Sequence, residues 1–379
     1  ARAITCIAIS SDGHYLAAGE RGYNPCISIW NIESGELLSS LSGHKHGVGC
    51  ISFAPDGESL ASAGFKHDRQ LILWSWRYGN TGINSGRLTP DKAKLASAKL
   101  GNKVNAITFG SGGSYFTTCG DRHLKWWYIQ RTVGDTDSVL SITSLVGKPA
   151  SILEAHRHAV FTDLCIVARQ ASSSNSSRSS STRNSESDDD VLYCTTSTGL
   201  LCVFTSKRLM EKWVQLDAPV AYGLSALPAP QGYAARVFPS GLLSVACADG
   251  IVRLFNMATL AYVATLPQPQ PLDSAIGAPN APDTALDIGK VHEKVHERPS
   301  GVSGRFPATL AIRLIKQADP SQLLLATAYY DRSFTVWDLS DPLAPVRLRS
   351  HQSHSSCVWD VQFLEGEWMS IATDSSPAD

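Results

Sequence analysis

Short runs of alternating apolar and polar residues, separated by Gly, Pro and Asp turns, recur along most of the chain. The clearest group lies within 42–78. It has an alternating run at 48–53, a Pro-Asp-Gly turn at 55–57, a second run at 60–63 and a third run that ends at Trp74. Alternation with a period of two between turn residues predicts half-buried β-strands. The chain is therefore predicted to be all-β.

A six-residue step marks the third strand of these groups. At five places an Asp or Asn precedes a large aromatic residue by six positions. A repeat of about 40–50 residues with a Trp-containing strand is typical of a β-propeller blade. The Asp or Asn is expected in the turn before the third strand, and the aromatic residue is expected to pack between blades. The five pairs are Asn24 and Trp30, Asp68 and Trp74, Asp121 and Trp127, Asp249 and Phe255, and Asp331 and Trp337.

These signals predict a single domain over 1–379, a β-propeller of the WD40 type with about seven blades. The fourth blade is degenerate, because Thr198 stands in the place of the turn Asp and Phe204 in the place of the Trp. The last blade is predicted to be incomplete, and we expect residues outside this chain to complete it. The predicted blades cover about 2–41, 42–78, 97–130, 151–216, 220–266, 306–350 and 351–379.

Three polar insertions, at about 79–96, 171–190 and 267–305, are predicted to be disordered. Such segments contain too few apolar residues to offset the entropy lost on ordering. The first of them carries Thr89-Pro90, a pattern that favours the start of one short helix. The Ser-rich segment at 171–190 leaves two interpretations open: a phosphorylated segment, or a loop expansion on a tolerant surface.

The second predicted blade contains a set of residues with possible chemical meaning: His44, Ser62, Asp68 and Trp74. We expect them to form a buried polar chain that specifies packing. Ser, His and Asp are also the residue types of a catalytic triad. Ser62 is predicted in the middle of a strand, however, and the sequence contains no GxSxG elbow. The structural interpretation is therefore preferred.

The segment 291–299, VHEKVHERP, contains the pattern HExxH in His292, Glu293 and His296. In zinc peptidases this pattern lies on a stable helix and is joined by a third protein ligand. Pro and Gly bracket the segment, and an isolated helix of two or three turns is marginal in water. The HxxGxxH continuation is absent, and no Glu follows the segment before Glu365. We therefore predict no metal site, no cofactor and no catalytic function.

Charge and cysteine content limit the partners and the compartment. The formal net charge of −1 provides no general attraction for nucleic acid or anionic membranes. Nine cysteines without a CxxC pair indicate reduced thiols and a cytoplasmic location. No apolar run reaches the roughly 18 residues needed to cross a bilayer. The chain starts without a Met or a signal-peptide pattern, so we expect it to be a piece of a longer protein.

Several segments together carry a more specific resemblance. They are HKHGVGCISFAPDGESLASAGFKHDRQLILWSW, GDRHLKWWYI, STGLLCVF followed by EKWVQL, CADGIVRLF, DRSFTVWDLSDP and HSSCVWDVQF. In this order they resemble the N-terminal WD-repeat region of the mitogen-activated-protein-kinase-binding protein 1 family, which includes the microcephaly-associated WD-repeat scaffold. The resemblance implies a non-enzymatic scaffold with two consecutive propellers.

The resemblance also implies partners and locations. The partners are other proteins, either kinases of c-Jun N-terminal kinase signalling or centrosomal and microtubule-associated proteins, with no nucleic acid and no membrane. The cytoplasm, the centrosome, the spindle pole or the cilium is the expected location. An alternative is a structural component of cilia or another microtubule assembly. Propellers bind partners through rim loops, and the candidate rim residues are Lys45, His46, Lys66, Arg69, Arg122, Tyr330 and Arg332.

Overall fold

In the part of the chain that the structure describes, the strands form seven antiparallel sheets, six of four strands and one of two. In every sheet, strands that are consecutive in sequence are neighbours. This is the order that short turns between alternating apolar runs produce. A computed structural model describes residues 2–77, 93–133, 140–168, 190–217, 221–228, 234, 238, 240–269, 306–316, 322–352, 354, 358–364 and 367–372.

Each sheet is one blade, and the blades follow each other along the chain. Blade one contains β1 (Ile4–Ile9), β2 (Tyr15–Glu20), β3 (Cys26–Asn31) and β4 (Leu37–Ser42). Blade two contains β5 (Val48–Phe53), β6 (Ser59–Gly64), β7 (Gln70–Ser75) and β8 (Lys94–Lys99). Blade three contains β9 (Val104–Phe109), β10 (Tyr115–Gly120), β11 (His123–Val133) and β12 (Leu140–Pro149). Blade four contains β13 (Phe161–Ala168), β14 (Asp190–Thr196), β15 (Leu200–Phe204) and β16 (Met210–Gln215).

The remaining blades repeat the pattern, except that blade seven has two described strands. Blade five contains β17 (Ala221–Leu227), β18 (Leu242–Cys247), β19 (Val252–Asn256) and β20 (Tyr262–Thr265). Blade six contains β21 (Thr309–Lys316), β22 (Leu323–Tyr329), β23 (Phe334–Asp338) and β24 (Val346–His351). Blade seven contains β25 (Val358–Leu364) and β26 (Glu367–Ala372).

The first strands of the seven blades form the inner ring. Each of them contacts the first strand of the next blade, and β25 contacts β1. The ring is therefore closed, which is how a propeller limits exposed sheet edges. The predicted all-β propeller of about seven blades is confirmed, and its last sheet has two described strands.

The aromatic residues of the third strands fill the spaces between blades. Trp74 shares a core cluster with Ile29 of blade one, and Phe255 shares one with Leu201 of blade four. Trp30 is only half-buried, and blade seven, beside it in the ring, has two described strands. Burial of large aromatic side chains against the neighbouring blade joins the sheets into one core.

The structure corrects two predicted blade boundaries. Strand β8 is the fourth strand of blade two. Its residues overlap the insertion predicted at 79–96 and also the start of blade three, which was predicted at 97. Strand β12 closes blade three beyond its predicted end at 130. Both are outer strands, and the side chains described in β8 are largely exposed or half-buried. Strands with one solvent-facing side contain few apolar residues, so their sequences resemble polar insertions.

Other sequence predictions fall on residues 79–92, 171–189 and 270–305, which lie outside the described residues. They include the disorder predictions for the three insertions, the helix start at Thr89-Pro90 and the HExxH pattern. Within the part of the chain that the structure describes, no helix has the length and apolar character needed to span a bilayer. The described residues also contain no group of His, Cys, Asp or Glu arranged to bind a metal ion.

The cysteines described in the structure are free thiols, and most of them are buried. Cys119, Cys194 and Cys202 have no exposed surface. Burial also raises the pKa of Cys247 to about 12. Such thiols stay protonated and act as small apolar packing groups, not as nucleophiles.

Candidate functional site

Loops of two kinds meet at one end of the ring. Because neighbouring strands are antiparallel, the turn between the second and third strands of a blade lies at the same end as the connection to the next blade. Backbone hydrogen bonds join them: Asn24 N donates to Lys45 O at 3.0 Å, and Phe65 N donates to Gly47 O at 3.0 Å. We call this end the upper end and the opposite end the lower end.

A buried polar chain links the upper end to the interior of blade two. Trp74 Nε1 donates to Ser62 Oγ at 2.8 Å, and Ser62 Oγ lies 2.8 Å from His44 Nε2. His44 Nδ1 contacts the Asp68 carboxylate. The four side chains are between 0% and 9% exposed. If Nδ1–H of His44 donates to the Asp68 carboxylate, each polar side-chain group in this four-residue network has a hydrogen-bond partner.

The location of this buried polar network decides whether it could act in catalysis. Asp68 also accepts a hydrogen bond from Lys45 N at 3.0 Å, so it fixes the connection between blades one and two. The Ser62 hydroxyl has partners on both sides and no exposed surface. It therefore has no access to a substrate. The arrangement resembles a catalytic triad in residue types only, and we propose that it stabilises the blade.

Blades three and six contain hydrogen-bonded networks of the same kind, with fewer side chains. Trp127 Nε1 donates to Thr118 Oγ1 at 2.8 Å, and His123 Nε2 lies 2.7 Å from the same oxygen. Burial lowers the pKa of His123 to about 4, so the imidazole is neutral at pH 7. In blade six, Trp337 Nε1 donates to Thr327 Oγ1 at 3.1 Å. Sequence reasoning missed His123, because this His comes from the third strand instead of the connection before the blade.

The turn acids of the other blades have different partners. Asp249 accepts two hydrogen bonds from Arg253, at 2.7 and 3.2 Å. Asp331 accepts from Ser333 N at 2.9 Å. The half-buried Asp121 donates its backbone N–H to the blade-three entry connection at 3.0 Å. The six-residue step thus places these residues in equivalent turns without giving them equivalent contacts.

The residue that follows the turn acid, or that follows Thr198 in blade four, has a left-handed backbone conformation in five blades. Blades four and five place Gly199 and Gly250 there, with φ of 80° and 78°. Blades two, three and six place Arg69, Arg122 and Arg332 there, with φ of 53°, 47° and 71°. A side chain in this region costs about 1–2 kcal/mol, and Gly avoids that cost. Three arginines at this position therefore call for an explanation other than folding.

All seven predicted rim residues lie at the upper end. Six of them are exposed and Tyr330 is half-buried. Lys45 and His46 lie between β4 and β5, Lys66 and Arg69 between β6 and β7, Arg122 between β10 and β11, and Tyr330 and Arg332 between β22 and β23. The structure brings them to one end of the ring, and their role in binding is a proposal.

Sequence reasoning missed further exposed groups at the same end. Tyr23 is 72% exposed, and its ring centroid lies 6.4 Å from that of His46. Arg157 and His158 are exposed on the connection between β12 and β13. These residues belong to no repeat motif, so the sequence carried no signal for them.

Among the described residues, most exposed charges at the upper end are basic, with Glu154 as an exception, whereas most of those in the lower-end turns of blades one and two are acidic. The upper end presents the Lys and Arg side chains of the rim set together with Arg157. The lower-end turns of blades one and two present Asp12, Glu33, Glu36 and Glu58, of which Asp12 is paired with Arg77 at 3.8 Å. A net charge of −1 therefore conceals a basic upper end.

Comparisons with known proteins agree with this architecture. The family model described as WD domain, G-beta repeat matches residues 1–31, 35–75 and 81–128. The crystal structure of the Cps50 (Swd1) β-propeller domain of Myceliophteria thermophila superposes with a TM-score of 0.60 and 14% identity. The match covers 98% of this chain and 93% of that one. At this identity the likeness concerns the fold alone.

Two curated relatives match almost the entire chain. Mitogen-activated protein kinase-binding protein 1 of Mus musculus is 32% identical over 361 residues, which are 95% of this chain and 20% of that protein. WD repeat-containing protein 62 of Sus scrofa is 28% identical over 361 residues, with the same coverage. The chain thus spans about a fifth of the length of these relatives. The expected resemblance is confirmed: the chain is a WD40-repeat β-propeller, a protein-interaction module that matches mitogen-activated protein kinase-binding protein 1 and WD repeat-containing protein 62 over 95% of its length.

Proposed function

We propose that this propeller is a non-catalytic recruiting module of a scaffold protein. The scaffold acts in mitogen-activated kinase signalling of the c-Jun N-terminal kinase type, or in the organisation of spindle poles and centrosomes. The similarity to a protein named for kinase binding supports the signalling role. The match to WD repeat-containing protein 62 supports the second role through the family resemblance. Other proteins are the proposed partners, in the cytoplasm or at these assemblies.

The observation that carries the recruiting role is the basic upper end. Its exposed cations come from turns of blades two, three and six and from two connections between blades. Three of them are arginines in a backbone conformation that Gly would adopt without strain. Side chains from several blades that converge on one rim are the usual binding surface of a propeller.

The same surface contains an aromatic group suited to anchoring a partner. Tyr23 is 72% exposed next to His46. Tyr and Arg are enriched among the residues that dominate interface energetics. A basic surface accelerates the approach of an acidic partner and fixes its orientation, whereas the anchoring aromatic slows its release.

The proposal is tested by affinity purification with quantitative mass spectrometry from dividing cells. The protein of natural length is compared with the triple variant Arg69→Gly, Arg122→Gly and Arg332→Gly. Gly suits the backbone at all three positions, so the variant removes charge without adding strain. We expect the wild type to recover kinases or spindle-pole proteins and the triple variant to lose them.

A matched control neutralises three carboxylates at the lower end: Glu33→Gln, Glu36→Gln and Glu58→Gln. It should recover the same partners as the wild type, because these side chains lie at the opposite end of the ring. Unchanged recovery by the triple Gly variant would refute the recruiting role of the upper end. Recovery of axonemal proteins instead of kinases or spindle-pole proteins would favour the structural role in cilia.

A further inference from the structure

A cleft of about 650 Å³ opens on the outer side of blade three, beside the connection to blade four. This volume lies within the range of about 300–1,000 Å³ that is usual for ligand pockets. The cleft is formed where β11 begins and where the connection from β12 to β13 passes. Its lining includes the basic side chains of Arg122, Lys125 and Arg157, together with His158, Pro149 and Ile152.

Backbone hydrogen bonds hold the two walls of the cleft together. Arg122 N donates to Ala159 O at 3.2 Å, and Ala150 N donates to Leu124 O at 3.0 Å. The short 3₁₀ turn on the connection packs against blade four, since the His156 and Trp213 ring centroids lie 5.3 Å apart. The cleft is therefore preformed by the blade framework and does not depend on a loop closing over it.

The cleft is rich in positive charge, and its two arginines, Arg122 and Arg157, have no ion-pair partner among the described residues. The Lys125 ammonium makes a cation–π contact with the Trp127 ring, 5.8 Å from its centroid, and keeps its positive charge. Among the described lining residues, Glu154 is the one carboxylate. Three permanent cations against one anion favour an anionic ligand.

The lining also contains apolar side chains with accessible surface. Pro149 is exposed, and Ala150 and Ile152 are half-buried. A ligand with charged groups alone would leave this surface uncovered. Cations beside an apolar wall suit a peptide ligand in which anionic and apolar side chains alternate.

Arg122 supplies an independent argument. Its φ of 47° is the left-handed conformation that Gly199 and Gly250 adopt in the same turn of other blades. Gly at this position would fold with less strain, yet it would remove the guanidinium from the cleft. Arg forms paired hydrogen bonds with carboxylates and phosphates, which makes it the suited side chain for this task.

We propose that the cleft between β11 and the connection from β12 to β13 binds an acidic segment of a partner protein. Arg122 and Arg157 hold carboxylate or phosphate groups, and an apolar side chain of the segment packs on Pro149 and Ile152. This inference rests on the proposed recruiting function and assigns a site to it. A flat lipid surface does not enter such a cleft.

The test is fluorescence anisotropy with the protein of natural length and three labelled peptides. One repeats Glu-Glu-Leu, one repeats phosphoserine-Glu-Leu, and a neutral one repeats Gln-Gln-Leu. We expect the acidic peptides to bind and the neutral one not to bind. Tighter binding of the phosphorylated peptide would identify phosphate as the recognised group, and equal binding would identify the carboxylates.

Variants locate the site. Arg122→Gly and Arg157→Gln should each weaken acidic-peptide binding about tenfold, the value of one lost charge-assisted contact. The control Arg349→Gln removes the same charge from an exposed position on β24 of blade six, outside the rim set, and should leave the affinity unchanged. Equal weakening by Arg122→Gly and Arg349→Gln would overturn the proposal, because it would indicate a general charge effect. Urea unfolding checks that each variant is folded.

Two further outcomes would also overturn the proposal. One is the absence of binding by both acidic peptides. The other is binding of phosphatidylserine vesicles or single-stranded RNA, instead of the peptides, with the same dependence on Arg122. If the peptides fail to bind while the triple Gly variant still loses its cellular partners, the cleft is not the site but the recruiting function stands.

Discussion

Replacing the buried His123 of blade three with Gln is expected to remove one source of acid instability. His123 is 4% exposed, and its Nε2 lies 2.7 Å from Thr118 Oγ1. Thr118 Oγ1 already accepts the Trp127 N–H, so its own proton is directed at the imidazole. Protonation of Nε2 would remove this acceptor and place a charge in the core. The amide oxygen of Gln preserves an acceptor without a titrating group.

The lowered pKa of His123 sets the direction and the size of the change in unfolding free energy with pH. Burial lowers the pKa of His123 from 6.5 to about 4. Between these values the unfolded chain binds a proton that the folded protein does not bind. The stability that the neutral imidazole confers is therefore fully present above pH 6.5 and is lost as the pH falls towards 4. The loss amounts to about 3 kcal/mol, at 1.36 kcal/mol for each pH unit of the lowering.

Urea unfolding followed by tryptophan fluorescence at pH 7 and pH 4 measures this loss. Between the two conditions, the wild type should lose about 3 kcal/mol more unfolding free energy than His123→Gln. The exposed His158 provides the control, and His158→Gln should behave like the wild type. Equal losses in all three proteins would refute the reasoning.

Three further predictions concern the stability of the blades, each measured by urea unfolding. Gly64→Ala would place a methyl carbon against the buried carboxylate of blade two and should cost about 3 kcal/mol. Gly112→Ala, which meets nothing within 4 Å, should cost under about 1 kcal/mol, and equal costs would contradict the clash. A double-mutant cycle of Trp74→Phe and Ser62→Ala should show about 1 kcal/mol of coupling from their 2.8 Å hydrogen bond, whereas additive effects would contradict it. Arg69→Gly should raise stability by about 1 kcal/mol by relieving a φ of 53°, and a decrease would show that Arg69 contributes to folding.

The sequence predicted the inner parts of the blades well because their signals are local. Strand alternation, the Pro-Asp-Gly turn at 55–57 and the step from Asp68 to Trp74 depend on residues close together in the chain. The structure has the corresponding strands and turns in blade two. The outer strands β8 and β12 escaped prediction, since an exposed strand has little apolar pattern to distinguish it from a loop.

The candidate site also combines features that the sequence predicted with features that it did not reveal. The sequence placed Arg69, Arg122 and Arg332 in equivalent turns, and antiparallel pairing then puts those turns at one end of the ring. It gave no sign of the cleft, because Arg122 and Arg157 belong to different blade segments and share a wall only after the connection between β12 and β13 folds back.

By itself, the sequence determined the repeat, the strand type and the residues of the blade-two polar chain, because short-range periodicity and turn chemistry specify them. Only the tertiary structure decided the strained backbone of the turn arginines, the low pKa of His123 and the sign of charge at each end. These properties depend on burial and on distances between segments far apart in the chain. The closure of the ring sets those distances.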